Sequence, residues 1–378
     1  MADGMDGFEQ RLRQRLAETL EDAAAAPRRR LPLPGAAARR GHPRWEGFAA
    51  GVATAALLFG VLWATLGRSP AHPGPSVAPS TNAGRVISSV SVADPVFTIA
   101  AGEGGVWVPD DASGKLLRID PRSGRIAATI PIAVSRLASA DAFDAVATSP
   151  GAVWVTSAVD DALVRVDPAT NRVAQRIALG VRPSSLAVLG SDVWVTASQA
   201  DRVLRVAVAS GTVEASVAVT DPGPIAAGAG GVWVVSEREG ELSRIDPTTN
   251  VASKLLSAAP GSDYVVDAVV ASGDGVWFRN LAARSVQHLD AASTLITQQA
   301  GVGGTATWGV TDPLTIAATN DAVWVTVTNA LVRVDRRTLH VTQLPLIQPT
   351  GVATAADDGS LWLATAQGAV VHVAPGTG

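Results

Sequence analysis

One short pattern recurs seven times along the chain, and its spacing limits the folds that are possible. A Val-Trp or Leu-Trp pair returns at intervals of 38 to 47 residues, and it accounts for seven of the ten tryptophans. Repeats of this length indicate units that bury their apolar faces against one another. We therefore expect these tryptophans at one equivalent core position in seven units. They are Trp107, Trp154, Trp194, Trp233, Trp277, Trp324 and Trp362.

Each unit divides into four short segments rich in β-branched residues, which predicts four strands. In the first unit the segments are 97–101, 106–109, 115–120 and 125–132. Several units carry Asp-Pro-x-Ser/Thr-Gly/Asn between the last two segments. In this turn the Asp side chain bonds the following backbone, and Gly or Asn accepts a positive φ. Helix signals are absent from residue 85 onward. Seven four-stranded units indicate an all-β fold, a seven-bladed β-propeller over residues 85–378.

The two ends of the repeat region complement each other. The last unit stops one strand short, whereas residues 85–92 resemble a fourth strand that precedes any blade able to own it. We expect 85–92 to pair with the final blade and close the ring, which leaves no open edge. Six blades plus a stray unit is the alternative.

The repeat resembles that of known bacterial proteins. Val153–Thr156 followed by Leu163–Arg172 is similar to the repeat of YVTN-type propellers and of virginiamycin B lyase-like propellers. The resemblance covers residues 85–378. It implies the propeller fold for every blade, and it is unspecific for activity because the motif consists of core and turn residues.

For lyases of this type, the resemblance implies Trp-Phe-Thr-Glu strands whose His and Glu residues reach an Mg²⁺-assisted site. Here Trp277-Phe278 is followed by Arg279 and Asn280, and no Glu directly follows the equivalent position in any other unit. No His/Glu cluster with metal spacing appears. The domain's histidines, interpreted as structural or solvated, are His288, His340 and His372. We expect no catalytic residue, no metal and no cofactor.

Residues 1–46 predict a short cytoplasmic arm. Phe8, Leu12, Leu16 and Leu20 form one apolar stripe, which indicates an amphipathic helix within 5–24. A solvated helix and a docking helix for a cytoplasmic protein are both open. A basic, proline-broken segment with six arginines follows.

Residues 47–67 form a run of 21 residues without a charge. At about 1.5 Å per residue, such a helix crosses a hydrocarbon core of about 30 Å. The arginines before it predict a cytoplasmic N-terminus and an extracytoplasmic propeller. A cleaved signal peptide is the alternative, although the preceding segment is long for one. Residues 68–84, rich in Pro and Ser, predict an extended linker.

Loops between outer and next inner strands, and between second and third strands, share one face of a propeller. The acids predicted there are Asp94, Asp110, Asp111, Asp141, Asp144, Asp160, Asp161, Asp201, Asp221, Glu237, Glu239, Asp263, Asp267 and Asp312. Arginines interrupt them at Arg182, Arg202, Arg238, Arg279 and Arg284. Three longer connections each add an aromatic residue, namely Phe143, Tyr264 and Trp308.

The candidate binding residues on this face are Trp308, Tyr264, Phe143, Asp110, Asp111, Asp160, Asp161, Asp263, Asp312 and Arg279. Such a face suits a small cationic ligand or a basic protein surface. A solvated loop surface is the alternative. The net charge of −4 argues against nucleic acid as a partner.

These observations favour a single-pass membrane protein of the bacterial cell envelope whose propeller binds or senses without catalysis. The first alternative is a divergent lyase or hydrolase that uses the acidic face. The second is a sensor that signals through its cytoplasmic arm.

Overall fold

The computed structural model describes residues 84–92, 96–111, 113–132, 145–257, 265–273, 275–302, 315–327, 330–345, 350–356, 358–365 and 368–375. The predicted cytoplasmic helix at 5–24, the predicted membrane span at 47–67 and the linker up to residue 83 lie outside these residues. Within the described part of the chain, no helix combines the length and apolar character that a membrane crossing requires.

The described residues form seven antiparallel sheets of four strands each, together with one short 3-10 helix, Ser198–Ala200. Blades 1 to 3 are β2 (Ala100–Gly102), β3 (Gly105–Asp110), β4 (Lys115–Asp120) and β5 (Arg125–Pro131); β6 (Val146–Ser149), β7 (Ala152–Ser157), β8 (Ala162–Asp167) and β9 (Arg172–Ala178); β10 (Ser185–Leu189), β11 (Asp192–Ala197), β12 (Arg202–Ala207) and β13 (Thr212–Ala218).

The remaining four blades follow the same order. They are β14 (Pro222–Gly228), β15 (Gly231–Ser236), β16 (Glu241–Asp246) and β17 (Val251–Leu256); β18 (Val266–Ser272), β19 (Gly275–Asn280), β20 (Ser285–Asp290) and β21 (Ile296–Gly301); β22 (Ile316–Ala318), β23 (Ala322–Val327), β24 (Ala330–Asp335) and β25 (Val341–Pro345); β26 (Thr350–Ala355), β27 (Leu361–Thr365) and β28 (Ala369–Pro375), completed by β1 (Gly84–Ser91).

The first strands of the blades form the inner ring. Each inner strand contacts the inner strand of the next blade, and β2 also contacts β26, so the ring is closed. The expectation of a seven-bladed propeller is confirmed, and the alternative of six blades plus a stray unit is wrong. Connections to successive inner strands and turns between second and third strands share one face. The other turns lie on the opposite face.

The N-terminal strand closes the ring as expected. β1 pairs antiparallel with β28, with Arg85 opposite Ala374 and Val90 opposite Val370. The backbone N–H of Val92 continues the pairing by donating to the carbonyl of Gly368 at 2.7 Å. The last blade therefore takes its outer strand from the start of the domain, which joins the two ends of the repeat region.

The repeated tryptophans form the packing between blades. All seven side chains are buried, with at most 1% of their surface exposed. One apolar cluster, for example, joins Trp154 and Leu163 of blade 2 to Val193 and Val195 of blade 3. The interpretation of these tryptophans as core residues is confirmed, and each of the seven blades contains one of them.

The third strand places a basic or imidazole side chain opposite each tryptophan. In five blades an arginine guanidinium lies over the indole ring, 5.1 to 5.9 Å from its centroid, a distance that suits a cation–π contact. His288 and His372 hold this position in blades 5 and 7, opposite Trp277 and Trp362. Both imidazoles are buried and pack on the indoles, so their structural interpretation is confirmed.

The predicted Asp turns are also present. Asp120 accepts hydrogen bonds from the backbone N–H groups of Arg122 and Ser123, and Asp167 accepts one from Ala169. These backbone donors hold the pKa of both carboxyls below the usual range. Asn171 at the end of its turn has a φ of 54°, the left-handed conformation that Asn tolerates.

Candidate functional site

A cavity of about 610 Å³ lies where the seven inner strands begin. Every blade contributes to its wall, so it occupies the mouth of the central channel. Its volume is within the range of small-molecule sites, about 300–1,000 Å³. One lining residue from each blade, in chain order, is Thr98, Ala145, Ser185, Gly223, Val266, Thr315 and Val352.

Buried hydroxyl groups hold the edges of this mouth in place. In blades 2, 3 and 6, a threonine two residues after the repeated tryptophan accepts a hydrogen bond from the backbone N–H at the start of the neighbouring inner strand. The donors are Ala145 at 2.8 Å, Ser185 at 2.9 Å and Thr315 at 3.0 Å. The hydroxyl groups of the three buried residues Thr156, Thr196 and Thr326 are thus used in bonds that stabilise the blades. They make the wall rigid, which favours a preformed site.

Blade 5 has Arg279 where those blades have threonine. Its side chain is 3% exposed and forms a two-point ion pair with Asp267. Arg279 Nε donates to Asp267 Oδ1 at 2.7 Å, and Arg279 Nη2 donates to Asp267 Oδ2. Such fork-to-carboxylate pairing fixes both side chains, because it combines charge with two aligned hydrogen bonds. The pair makes a rigid polar patch in the wall of the cavity.

A β-bulge places Asp267 beside this arginine. The register of β18 against β19 shifts between Val266 and Ala268, so Asp267 is the extra residue of the strand. Similar irregularities lie near the starts of β14 and β26. Bulges re-aim side chains and often lie next to functional sites. Here the three of them shape one side of the channel mouth.

Glu237 is the second acidic group in the cavity wall. It follows the end of β15, and its backbone N–H donates to the carbonyl of Asp221 at 3.1 Å. Its side chain is exposed at the cavity. The surrounding protein nevertheless excludes part of the water around its carboxyl group, and this desolvation, together with the negative charge of Asp221, raises its pKa. Among the described residues its carboxylate has no ion-pair or hydrogen-bond partner.

Gly223 allows the carboxylate of Glu237 to lie where it does. A Cβ atom at Gly223 would collide with Cγ, Cδ and Oε1 of Glu237. Glycine is therefore required for this close approach. Any larger residue would displace the Glu237 side chain from its place over the β14 strand.

The remaining wall is largely apolar. Phe97 is 51% exposed and Val265 is 38% exposed, and both line the cavity with Ile99 and Leu281. Exposed apolar residues around a concave surface indicate a binding site, because they lose water only when a ligand covers them. The mouth thus offers one uncompensated carboxylate, one neutralised ion pair and an apolar surface.

Of the candidate binding residues that the structure describes, Arg279 alone lines the cavity. Asp110 accepts hydrogen bonds from the N–H and Oγ of Ser113, and Asp160 accepts one from Ser157 Oγ. Asp111 and Asp161 accept backbone hydrogen bonds through their carbonyl groups. The carboxylates of Asp110 and Asp160 thus bond within their own loops, and none of the four acids lines the cavity. Phe143, Asp263, Tyr264, Trp308 and Asp312 lie outside the described residues.

Glu237 and Asp267 are among the acids predicted on this face, but neither is one of the candidate binding residues. Glu237 belongs to blade 4 and Asp267 to blade 5, and the inner strands of both blades carry a bulge. The sequence signal for Asp267 is the departure from threonine at Arg279, since a buried cation requires a partner nearby. Glu237 is distinguished only by its place in the cavity wall. Within the described ranges, no group of three or more His, Cys, Asp or Glu side chains is placed to hold a metal ion.

Comparison with known proteins shows the fold. No family model matches the chain, and no curated protein sequence does. A solved streptogramin B lyase is 18% identical with a TM-score of 0.63, and the alignment covers 76% of this chain and 97% of the lyase. Hydrazine synthase from Kuenenia stuttgartiensis is 13% identical with a TM-score of 0.61 and the same coverage. The resemblance to virginiamycin B lyase-like propellers is confirmed at the level of the propeller fold.

Proposed function

We propose that the chain is a membrane-anchored binding protein of the bacterial cell envelope. In this proposal, the mouth of its propeller holds a small ligand that carries a cationic group and an apolar body. The observation that carries the proposal is Glu237, a carboxylate without a partner among the described residues, in a cavity to which all seven blades contribute. The protein would bind or sense this ligand without transforming it.

Charge and shape both support a cationic, partly apolar ligand. Asp267 is neutralised by Arg279, so an incoming cation would meet the net negative charge of Glu237. Placing a cation there lowers the cost of keeping this partly enclosed carboxylate ionised. The apolar body would cover Phe97 and Val265, and this removes exposed hydrocarbon from water.

A pair of nearly isosteric probes tests this proposal. Binding of phenethylammonium and of uncharged phenethyl alcohol to the full chain in zwitterionic lipid nanodiscs is measured by ligand-observed NMR. We expect the ammonium to bind about five to ten times more tightly, because a partly enclosed ion pair contributes about 1–1.4 kcal/mol. Glu237→Gln should remove the preference, whereas Glu239→Gln, two residues further along the same loop, should retain it. An equal preference in wild type and Glu237→Gln would refute the site.

The membrane anchor is tested separately. Its support is the uncharged run 47–67 with arginines before it. We expect the full chain to remain with membranes after alkaline carbonate extraction, and a variant lacking 47–67 to be released. External protease should reach the propeller in intact spheroplasts. Release of the full chain, or protection of its propeller, would contradict the anchor or its orientation. A cytoplasmic partner of residues 5–24 stays a prediction.

Catalysis is the competing function, and the similarity to a streptogramin B lyase suggests the substrate to try. A type B streptogramin incubated with the protein and Mg²⁺ should remain unchanged by mass spectrometry. Formation of a product, lost in a variant of the channel mouth, would establish an enzyme in place of a binding protein.

A further inference from the structure

One outer edge of the propeller carries a row of unpaired positive charges. Five arginines lie on the outer strands of blades 7, 1 and 2, or in the turns before them, and all five are exposed. Among the described residues, none of their guanidinium groups forms an ion pair or a hydrogen bond. This surface is called the basic edge below. Its arginines are Arg85, Arg122, Arg125, Arg172 and Arg176.

The charge of the basic edge contrasts with the rest of the ring. Each blade is counted from the last residue of its third strand to the end of its outer strand. Blades 7, 1 and 2 then contain the five arginines and two acids, Asp120 and Asp167, which leaves a net charge of +3. Blade 6, beside blade 7, has +1, whereas blades 3, 4 and 5 together have −2. The chain as a whole carries −4, so positive charge is concentrated on one side of the ring.

The three outer strands of the basic edge form a continuous surface. β5 of blade 1 contacts β9 of blade 2. Ser88 of β1 lies against the turn before β5, because its Oγ is 3.2 Å from the point that a Cβ atom of Gly124 would occupy. Closure of the ring thus places the first strand of the domain beside the outer strands of blades 1 and 2. Arginines from three separate parts of the chain therefore belong to one edge.

Exposed aliphatic side chains accompany these arginines. Val86 and Ile87 follow Arg85 and are 47% and 48% exposed. Ile87 is the extra residue at a register shift between β1 and β28, and such a residue is left out of the ladder. Ile126 follows Arg125 and is 44% exposed. Guanidinium groups beside exposed aliphatic side chains suit the interfacial region of a bilayer, where phosphate groups border the hydrocarbon.

The polypeptide enters the propeller at this same edge. β1 begins at Gly84, where the predicted linker ends. Sixteen residues separate β1 from the predicted membrane span 47–67, and they reach at most about 55 Å when fully extended. A tether of this length holds the edge at an effective concentration of about a millimolar beside the bilayer. Weak attraction to the lipid surface is therefore enough to dock it.

We propose that the basic edge docks on the anionic phospholipid head groups of the membrane that holds the chain. This proposal rests on the membrane anchor of the proposed function. The arginines would pair with lipid phosphodiester groups, and Val86, Ile87 and Ile126 would enter the interfacial region. Contact through an outer edge orients the propeller with its channel axis along the plane of the bilayer. The channel mouth then stays open to a ligand.

A single label tests whether this edge lies on the bilayer. The chain has no cysteine, so a fluorophore is attached to Ala127→Cys in β5 or, as the control, to Ser253→Cys in β17 of blade 4. Both positions are exposed. The labelled full chain is placed in nanodiscs that carry a nitroxide on some phosphatidylcholine head groups, which quench a nearby fluorophore. With about 30% phosphatidylglycerol we expect stronger quenching at position 127 than at position 253, and with phosphatidylcholine alone we expect equal quenching.

Charge variants show whether the arginines cause the docking. Replacing Arg122, Arg125, Arg172 and Arg176 together with Gln should abolish the excess quenching at position 127. Each arginine beside an anionic surface changes the ratio of docked to undocked propeller about fivefold. Lysine at the same four positions keeps the charge and should keep most of the excess, whereas salt at about 0.5 M should remove it.

The outcomes separate the docking from the anchor. Equal quenching at the two positions with phosphatidylglycerol, or an excess at position 127 that persists in the Gln variant, would overturn the docking while the chain stays in the nanodisc. Loss of the full chain from the nanodisc would refute the anchor, and the docking with it.

Discussion

Replacing Asp267 with alanine tests the ion pair in the wall of the channel mouth. The substitution leaves the guanidinium of Arg279, 3% exposed, without its carboxylate. Removing one partner of a buried pair costs about 3–5 kcal/mol. Asp267 is itself 26% exposed, so water will reach part of the site and we expect about 2–4 kcal/mol.

The double variant Asp267→Ala, Arg279→Thr supplies the decisive comparison. It installs the residue that blades 2, 3 and 6 carry at the Arg279 position and removes the buried guanidinium. We expect it to be more stable than Asp267→Ala alone, with a coupling energy of about 1–3 kcal/mol.

Thermal unfolding, followed by near-ultraviolet circular dichroism of the tryptophans, provides the assay. With an unfolding entropy of about 2.1 cal/mol/K per residue over roughly 290 residues, 1 kcal/mol corresponds to about 1.6 °C. The single variant should therefore melt about 3–6 °C below the wild type. A loss under about 1 °C, or a double variant that melts at least as low as the single one, would refute the reasoning.

Three further predictions follow from the same structure. The pKa of Glu237 is raised above its ordinary value of 4.5, so its ionisation destabilises the fold as pH rises from 4.5 through the raised value. Glu237→Gln should therefore raise Tm at pH 7 and leave it nearly unchanged at pH 4. An equal change of Tm at both pH values would contradict this. Deleting residues 84–91 removes the partner of β28, so the truncated chain should melt lower and aggregate through its exposed edge in light scattering, and a monomer of wild-type Tm would contradict the closure. Thr294 is exposed with a φ of 56°, so Thr294→Asn should stabilise the fold by about 1 kcal/mol in denaturant titration, and an unchanged midpoint would argue against strain there.

The sequence predicts the fold well because the repeat carries information on position. Each Val-Trp pair marks a second strand, and each Asp turn marks the end of a third strand. The sequence also predicts the closing strand, because 85–92 resembles a fourth strand and precedes any blade to which it could belong. The strand in the structure spans 84–91. These features depend on local spacing, which a single sequence displays directly.

The candidate site is harder to predict because it depends on the register between strands. The pairing of Asp267 with Arg279 requires a bulge in β18, and no residue type in that segment predicts a bulge. Asp110 and Asp160 belong to the expected face, yet they bond within their own loops. His288 and His372 stand where the other five blades have arginine, and the sequence displays this exchange, but the packing of both imidazoles on the tryptophans is seen only in the structure.

The most direct test of the central claim locates a bound cation on the propeller. A benzylammonium that carries a diazirine is photolysed with the full chain, and the labelled peptides are mapped by mass spectrometry. We expect labels at the channel mouth, on the segments that contain Phe97, Val265 and Leu281, and a marked reduction of this labelling in Glu237→Gln. Labels concentrated on the opposite face, or an undiminished pattern in Glu237→Gln, would contradict it.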